Sequence, residues 1–150
     1  MDTKRQHSTT PPATTILLID EKHQDRTYYA DRLKMSIPDC VVLEAKDGAS
    51  GLELYRSRQV DCIVTELLLP DMSGIELLLE VIPHAQPPQT AVVMLTGNSI
   101  PALAELAKTY GAQAFFIKRL TSGDELAQAI QKAIARVGPT HKDRREERTV

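Results

Sequence analysis

Four places in this 150-residue chain set chemistry-bearing side chains directly after a short apolar run. Ile19-Asp20-Glu21 and Thr65-Glu66 supply three carboxylates, Leu95-Thr96-Gly97 a hydroxyl, and Ile117-Lys118 an ammonium. Brought together, three carboxylates repel one another and at least one takes up a proton unless a cation joins them. A hard divalent ion such as Mg²⁺ answers that need, because it prefers oxygen ligands and keeps several waters. On this reading Asp20, Glu21 and Glu66 are the metal ligands. Thr96 and Lys118 are then donors to a phosphoryl group, since a hydroxyl and an ammonium fixed in place stabilise developing oxygen charge.

Whether these residues meet depends on the elements that carry them. ILLI (16–19), VVLEA (41–45), DCIVTE (61–66), AVVML (91–95) and AFFI (114–117) are short apolar runs that read as strands. Between them lie helical patterns at 24–35, 48–58, 74–82 and 99–109, and a last one at 122–137. In the first helix Tyr28, Leu33 and Met35 are among the candidate inward positions, and the second carries Leu52, Leu54 and Tyr55. Ser99 reads as an N-cap with Pro101 in the first turn. Ser122-x-x-Glu125 is a capping-box pattern before the last helix, whose Leu126, Ile130, Ile134 and Val137 repeat at helical spacing. Strict alternation of apolar strands and helices predicts a parallel sheet with right-handed crossovers and both faces covered. The fold class expected is therefore α/β, a doubly wound five-stranded parallel sheet of order 2-1-3-4-5 with five helices. Its switch point lies between strands 1 and 3, and a site belongs beyond their carboxyl ends.

Composition narrows the classes. Formal charge is −2 and pI about 6.1, which argues against a nucleic-acid binder driven by phosphate contacts. No run approaches the length of a membrane span, and the N-terminus lacks the apolar core of a secretory signal, so a cytoplasmic protein is expected. A flavin phosphate needs a Gly/Ser/Thr-rich loop after strand 1, whereas Asp20-Glu21-Lys22 would repel one, so no flavin is expected. Cys40 and Cys62 fall roughly 9–10 Å apart if strand 1 separates their strands, too far for a disulfide. His7, His23, His84 and His141 have no ligand spacing and read as surface residues, and Ser73 and Ser99 lack a nucleophile-elbow pattern, so no enzyme is expected. Leu67-Leu68-Leu69 reads as loop packing with part of it exposed beside the pocket. Residues 1–15 read as a disordered polar arm, 16–137 as the folded domain, and 138–150 as a charged tail or truncated linker opened by the helix stop Gly138-Pro139.

The same segments resemble the receiver domain of two-component response regulators, over about 16–137. ILLIDE is similar to the family's first strand and acidic pair, DCIVTELLLPDMSGIEL to its third strand and following loop, VVMLTG to its threonine segment, and GAQAFFIKR to its lysine segment. The resemblance implies a flavodoxin-like receiver fold. It implies an acceptor carboxylate at the end of strand 3 that takes a phosphoryl group from a histidine kinase, with Mg²⁺ on the acidic pair. Thr96 and Lys118 would touch the phosphoryl oxygens, and Phe115 is the aromatic switch position. Partners, a histidine kinase or an output domain, would meet the face formed by helix 4, strand 5 and helix 5, which is also where a homodimer would form. No output domain is recognisable after residue 137, so the chain reads either as a single-domain protein or as the receiver portion of a longer regulator.

Two positions depart from the family pattern. The aligned phosphoacceptor is Glu66 where the family has Asp, while Asp61 lies at the far end of the strand and Asp71 beyond Pro70. One extra methylene moves the carboxylate by about 1.5 Å, and a misplacement of about 1 Å costs on the order of 100-fold in rate. Lys118 is followed by Arg119 instead of the family's Pro, so a trans bond and a changed loop are expected, with Arg119 in solvent. Three readings of Glu66 follow: an atypical receiver that docks partners on an inert site, a constitutive phosphomimic paired with Lys118, and a weak phosphoacceptor. Docking is preferred, because one carboxylate is an incomplete substitute for a phosphoryl dianion.

Overall fold

A computed structural model describes residues 13–82, 90–98 and 100–137. Strands β1 (Thr15–Ile19), β2 (Val41–Ala45), β3 (Cys62–Thr65), β4 (Ala91–Thr96) and β5 (Ala114–Ile117) alternate with helices α1 (His23–Ser36), α2 (Gly48–Ser57), α3 (Gly74–Val81), α4 (Pro101–Thr109) and α5 (Gly123–Arg136). All strand pairs are parallel and the order is β2-β1-β3-β4-β5, the doubly wound order expected. A 3₁₀ turn, Lys118–Leu120, links β5 to α5.

The apolar runs are continuous because the central strands are covered twice. β3 and β4 are buried along their whole length, and β1 from Ile16 onward, while the edge strands β2 and β5 are only partly buried. Alternate side chains go to opposite layers. Ile16, Leu18, Cys62, Val64 and Val93 pack with Leu33 of α1 and Leu126 and Ile130 of α5. Leu17, Ile19, Ile63, Val92 and Met94 pack with Leu52 of α2, Leu77 and Leu78 of α3, and Ala107 of α4. The sheet thus divides two apolar layers, and its register decides which residues emerge together at the carboxyl edge. Ile19 lies beside Thr65 and Thr65 beside Met94, so Asp20 and Glu66 leave the sheet level with each other.

Local corrections concern helix phase and caps. Tyr28 and Met35 are 50% and 77% exposed, so they do not face the core; Tyr29, Ala30 and Leu33 do. Met35 lies roughly 200° around the helix from Leu33, which takes it out of the inward stripe. Tyr28 instead stacks edge-on against Tyr29 and lies under the Arg32 guanidinium. The cap residue of α4 is Ile100, which offers no side-chain acceptor, with Pro101 in the first turn as expected; the expected cap Ser99 lies outside the described residues. The capping box of Ser122 and Glu125 forms in full. Cys40 and Cys62 are free thiols. His23 is exposed, whereas His7, His84 and His141, the arm up to residue 12 and the tail from 138 lie outside the described residues. Among those described, no helix is long and apolar enough to cross a membrane.

Candidate functional site

Beyond the carboxyl ends of β1 and β3 the chain must turn into α1 and α3, and each turn presents a carboxylate. The Asp20 N–H donates to the Ala45 carbonyl and the Glu66 N–H to the Ile19 carbonyl, so the ladder holds both backbones past the last paired residue. Gly74, at the start of α3, lies so close to this backbone that a Cβ would stand 2.8 Å from the Glu66 carbonyl oxygen. A side chain there would displace the segment that carries Glu66. Asp71, in the same loop, accepts from the Gly48 and Ala49 amides at 2.8 and 2.9 Å and so ties the loop to the N-terminus of α2.

Lys118 reaches from the end of β5 into the space between the carboxylates. Its Nζ lies 2.7 Å from Asp20 Oδ2, 2.8 Å from Asp25 Oδ2 and 3.2 Å from Glu66 Oε1. The Asp20, Glu66 and Lys118 side chains are almost wholly buried, while Asp25 is more than one-third exposed. Backbone amides complete the carboxylate shells. Lys22 donates to Asp20 Oδ1 at 2.9 Å, Leu67 to Glu66 Oε2 at 2.7 Å, and Gly97 to Glu66 Oε1 at 3.3 Å. Burial pushes the Glu66 carboxyl up, but the Thr96 hydroxyl, the Lys118 ammonium and the Leu67 amide outweigh it and hold the group below its ordinary range. Burial likewise pushes Lys118 down, and its hydrogen bonds to Asp20 and Asp25 more than reverse this, so the ammonium stays charged well above its ordinary value.

Thr96, fully buried at the end of β4, accepts from the Asn98 amide at 3.1 Å. Phe115 is half-buried and packs with the layer under α2, α3 and α4, whereas Phe116 packs with the α1/α5 layer, as strand alternation requires. Both residues also border, with Ile100, Pro101, Ala104 and Leu120, an open groove of about 340 Å³ at the edge of the sheet. Leu120 is 67% exposed, and Arg119 is in solvent behind a trans bond. Of the Leu67-Leu68-Leu69 run, Leu67 is buried and Leu68 half exposed.

The residues that converge are therefore Asp20, Glu66, Thr96 and Lys118. Glu21 stays exposed. Asp20 and Glu66 are the buried carboxylates that would hold a Mg²⁺ ion, one or two carboxylates with waters being its usual shell, and the Lys118 ammonium stands between them. Among the described residues no three carboxylate, His or Cys side chains form a group arranged to hold a metal ion. Neither alternative aspartate joins the pocket. Asp61 is buried at the amino end of β3, where it accepts from the Thr15 amide at 2.8 Å, and Asp71 serves the α2 terminus.

Two functional-looking residues lie outside the expected set, Asp25 and Arg26. Arg26 donates to the Asp20 carbonyl at 2.7 Å and pairs with Glu44 at 3.0 Å, fixing the turn out of β1. In the sequence an aspartate in the first turn of a helix reads as a partner of the helix dipole. The available signal was its five-residue distance from Asp20, which returns the first turn of α1 over the strand end.

The model of the response regulator receiver domain matches residues 16–131. The transcriptional regulatory protein UhpA of Escherichia coli is 34% identical over 116 residues, 77% of this chain and 56% of that protein, so the chain spans about half the length of this relative. The signal receiver domain of the response regulator NarL from Mycobacterium tuberculosis superposes with a TM-score of 0.75 at 25% identity, covering 84% of this chain and 99% of that one. A response regulator receiver domain protein from Clostridium thermocellum gives 0.73 at 28% identity, covering 82% and 95%.

Proposed function

The chain belongs to the response regulator receiver domain family, and from that premise we propose that it is an atypical receiver, a protein-interaction module of two-component signalling in which Glu66 stands at the phosphoacceptor position. The observation that carries this reading is the state of the Glu66 carboxylate. Both of its oxygens are already engaged: Oε2 accepts from the Leu67 amide, and Oε1 accepts from the Gly97 amide and pairs with the Lys118 ammonium. An acceptor must attack phosphorus with a lone pair on one of these oxygens, and here both oxygens are shared with donors that stabilise the charged form. The longer side chain adds a displacement of about 1.5 Å, against an attack geometry in which about 1 Å matters. Signalling then runs through docking of a kinase or output domain on α4, β5 and α5, where the groove beside Phe115, Phe116 and Leu120 offers apolar surface.

A second reading has its own support. The Lys118 ammonium and the Thr96 hydroxyl both act on the Glu66 carboxylate, the two groups a phosphoryl group would recruit. On that reading Glu66 is a constitutive phosphomimic that leaves the α4–β5–α5 face permanently set.

Intact-mass measurement after incubation with Mg²⁺ and a small acyl phosphate tests the proposal. Wild type and Glu66→Gln should both remain unmodified. A labile phosphoryl mass on wild type that Glu66→Gln lacks would overturn it and make Glu66 a working acceptor. Partner binding separates the two readings, since a phosphomimic loses affinity in Glu66→Gln and a docking module on an inert site does not.

A further inference from the structure

We propose that Lys118, tethered by Asp25, is the resident cation of this pocket and stands where a receiver would otherwise hold a divalent metal ion. The inference rests on the receiver reading and names how that same site is regulated. An ammonium has three N–H donors. Two are given to Asp20 at 2.7 Å and Asp25 at 2.8 Å, and Glu66 stands at ion-pair distance, 3.2 Å. The contact to Glu66 is the longest, so the pull on the ammonium is toward β1 and α1. Helix α1 holds Lys118 at both ends. Asp25 binds the ammonium and Tyr29, one turn later, donates from its hydroxyl to the Lys118 carbonyl at 3.4 Å. Asp20 is fixed in turn by the Lys22 amide on its carboxylate and by Arg26 on its carbonyl. A metal ion entering between Asp20 and Glu66 must displace the ammonium, and Asp25 is the group that resists the displacement. Asp25 is also the most exposed of the three carboxylates, so it can be altered without opening the core.

This assigns Asp25 as a positioning residue and makes a prediction opposite in sign to simple electrostatics. Deleting a carboxylate beside a cation site ordinarily weakens cation binding. Here Asp25→Asn frees Lys118 to swing out, so it should tighten Mg²⁺ binding by on the order of tenfold, the worth of one charge-assisted hydrogen bond released.

The experiment is an amide NMR titration of the full chain with Mg²⁺, followed by paramagnetic broadening with Mn²⁺, read at Leu67, Leu68 and Gly97. Wild type should show no saturable change at millimolar Mg²⁺, Asp25→Asn should show one, and Asp25→Glu should return to wild-type behaviour. Lys118→Met, with its fold checked in the same spectra, should gain the site as well. Saturable binding by wild type, or an Asp25→Asn protein that binds no better than wild type, overturns the proposal. Failure of the acceptor reading would register separately, as phosphoryl mass on wild type, because the titration contains no phosphodonor.

Discussion

Replacing Lys118 by Met would leave Asp20 and Glu66 buried and without their ammonium. Breaking a buried pair by removing one partner costs about 3–5 kcal/mol, because the remaining charge is uncompensated. We expect a loss near the lower end of that range at pH 7, since Asp25 can turn to solvent. The pH dependence follows from the two shifts. Lys118 is raised in the folded state, so its contribution is fully present at neutral pH and is lost only as pH rises past its ordinary 10.5 and through the raised folded value. Glu66 is depressed, so its contribution is present above its ordinary 4.5 and is lost as pH falls through the lower folded value. In the Lys118→Met protein the carboxylates protonate more readily, so the gap to wild type should narrow toward pH 4. Urea unfolding at pH 7 and pH 4 measures it, and an equal gap at both would contradict the ion-pair account.

At the scale of the element, α1 carries the sharpest contrast between pattern and placement. The helix has few apolar residues, so its side chains alone determine its rotation weakly. The contacts of Leu33 with the sheet, and of Asp25 and Tyr29 with Lys118, settle the phase. Leu33→Ala should therefore cost about 2–5 kcal/mol as a core truncation, while Met35→Ala should change stability by less than about 0.5 kcal/mol. Denaturant midpoints for the pair check this, and a larger cost at Met35 would reverse the assigned phase. The last helix needed no such help, because its capping box and the repeat of Leu126 and Ile130 agree with each other and with the structure.

For the molecule as a whole, the sheet separates two apolar layers that share strands but few side chains. Ile63→Ala in the α2/α3/α4 layer and Leu126→Ala in the α1/α5 layer should each destabilise by about 2–5 kcal/mol. Their effects should add to within about 0.5 kcal/mol, as expected of separated sites, and a larger coupling in the double variant would show that strain crosses the sheet. The strands, their alternation with helices, their order and the emergence of Asp20, Glu66, Thr96 and Lys118 at one edge were legible in the sequence. Each follows from local signals, apolar runs bounded by polar turns, and from topology rules that leave few ways to arrange them. The phase of α1, the exposure of Glu21 and the recruitment of Asp25 were not legible. They depend on how far each side chain reaches once the strand ends are in register, and on which donor satisfies a buried carboxylate when three compete for one ammonium. Sequence spacing carries no measure of that competition, because it is settled by differences of a few tenths of an ångström in contacts between residues as much as 98 positions apart.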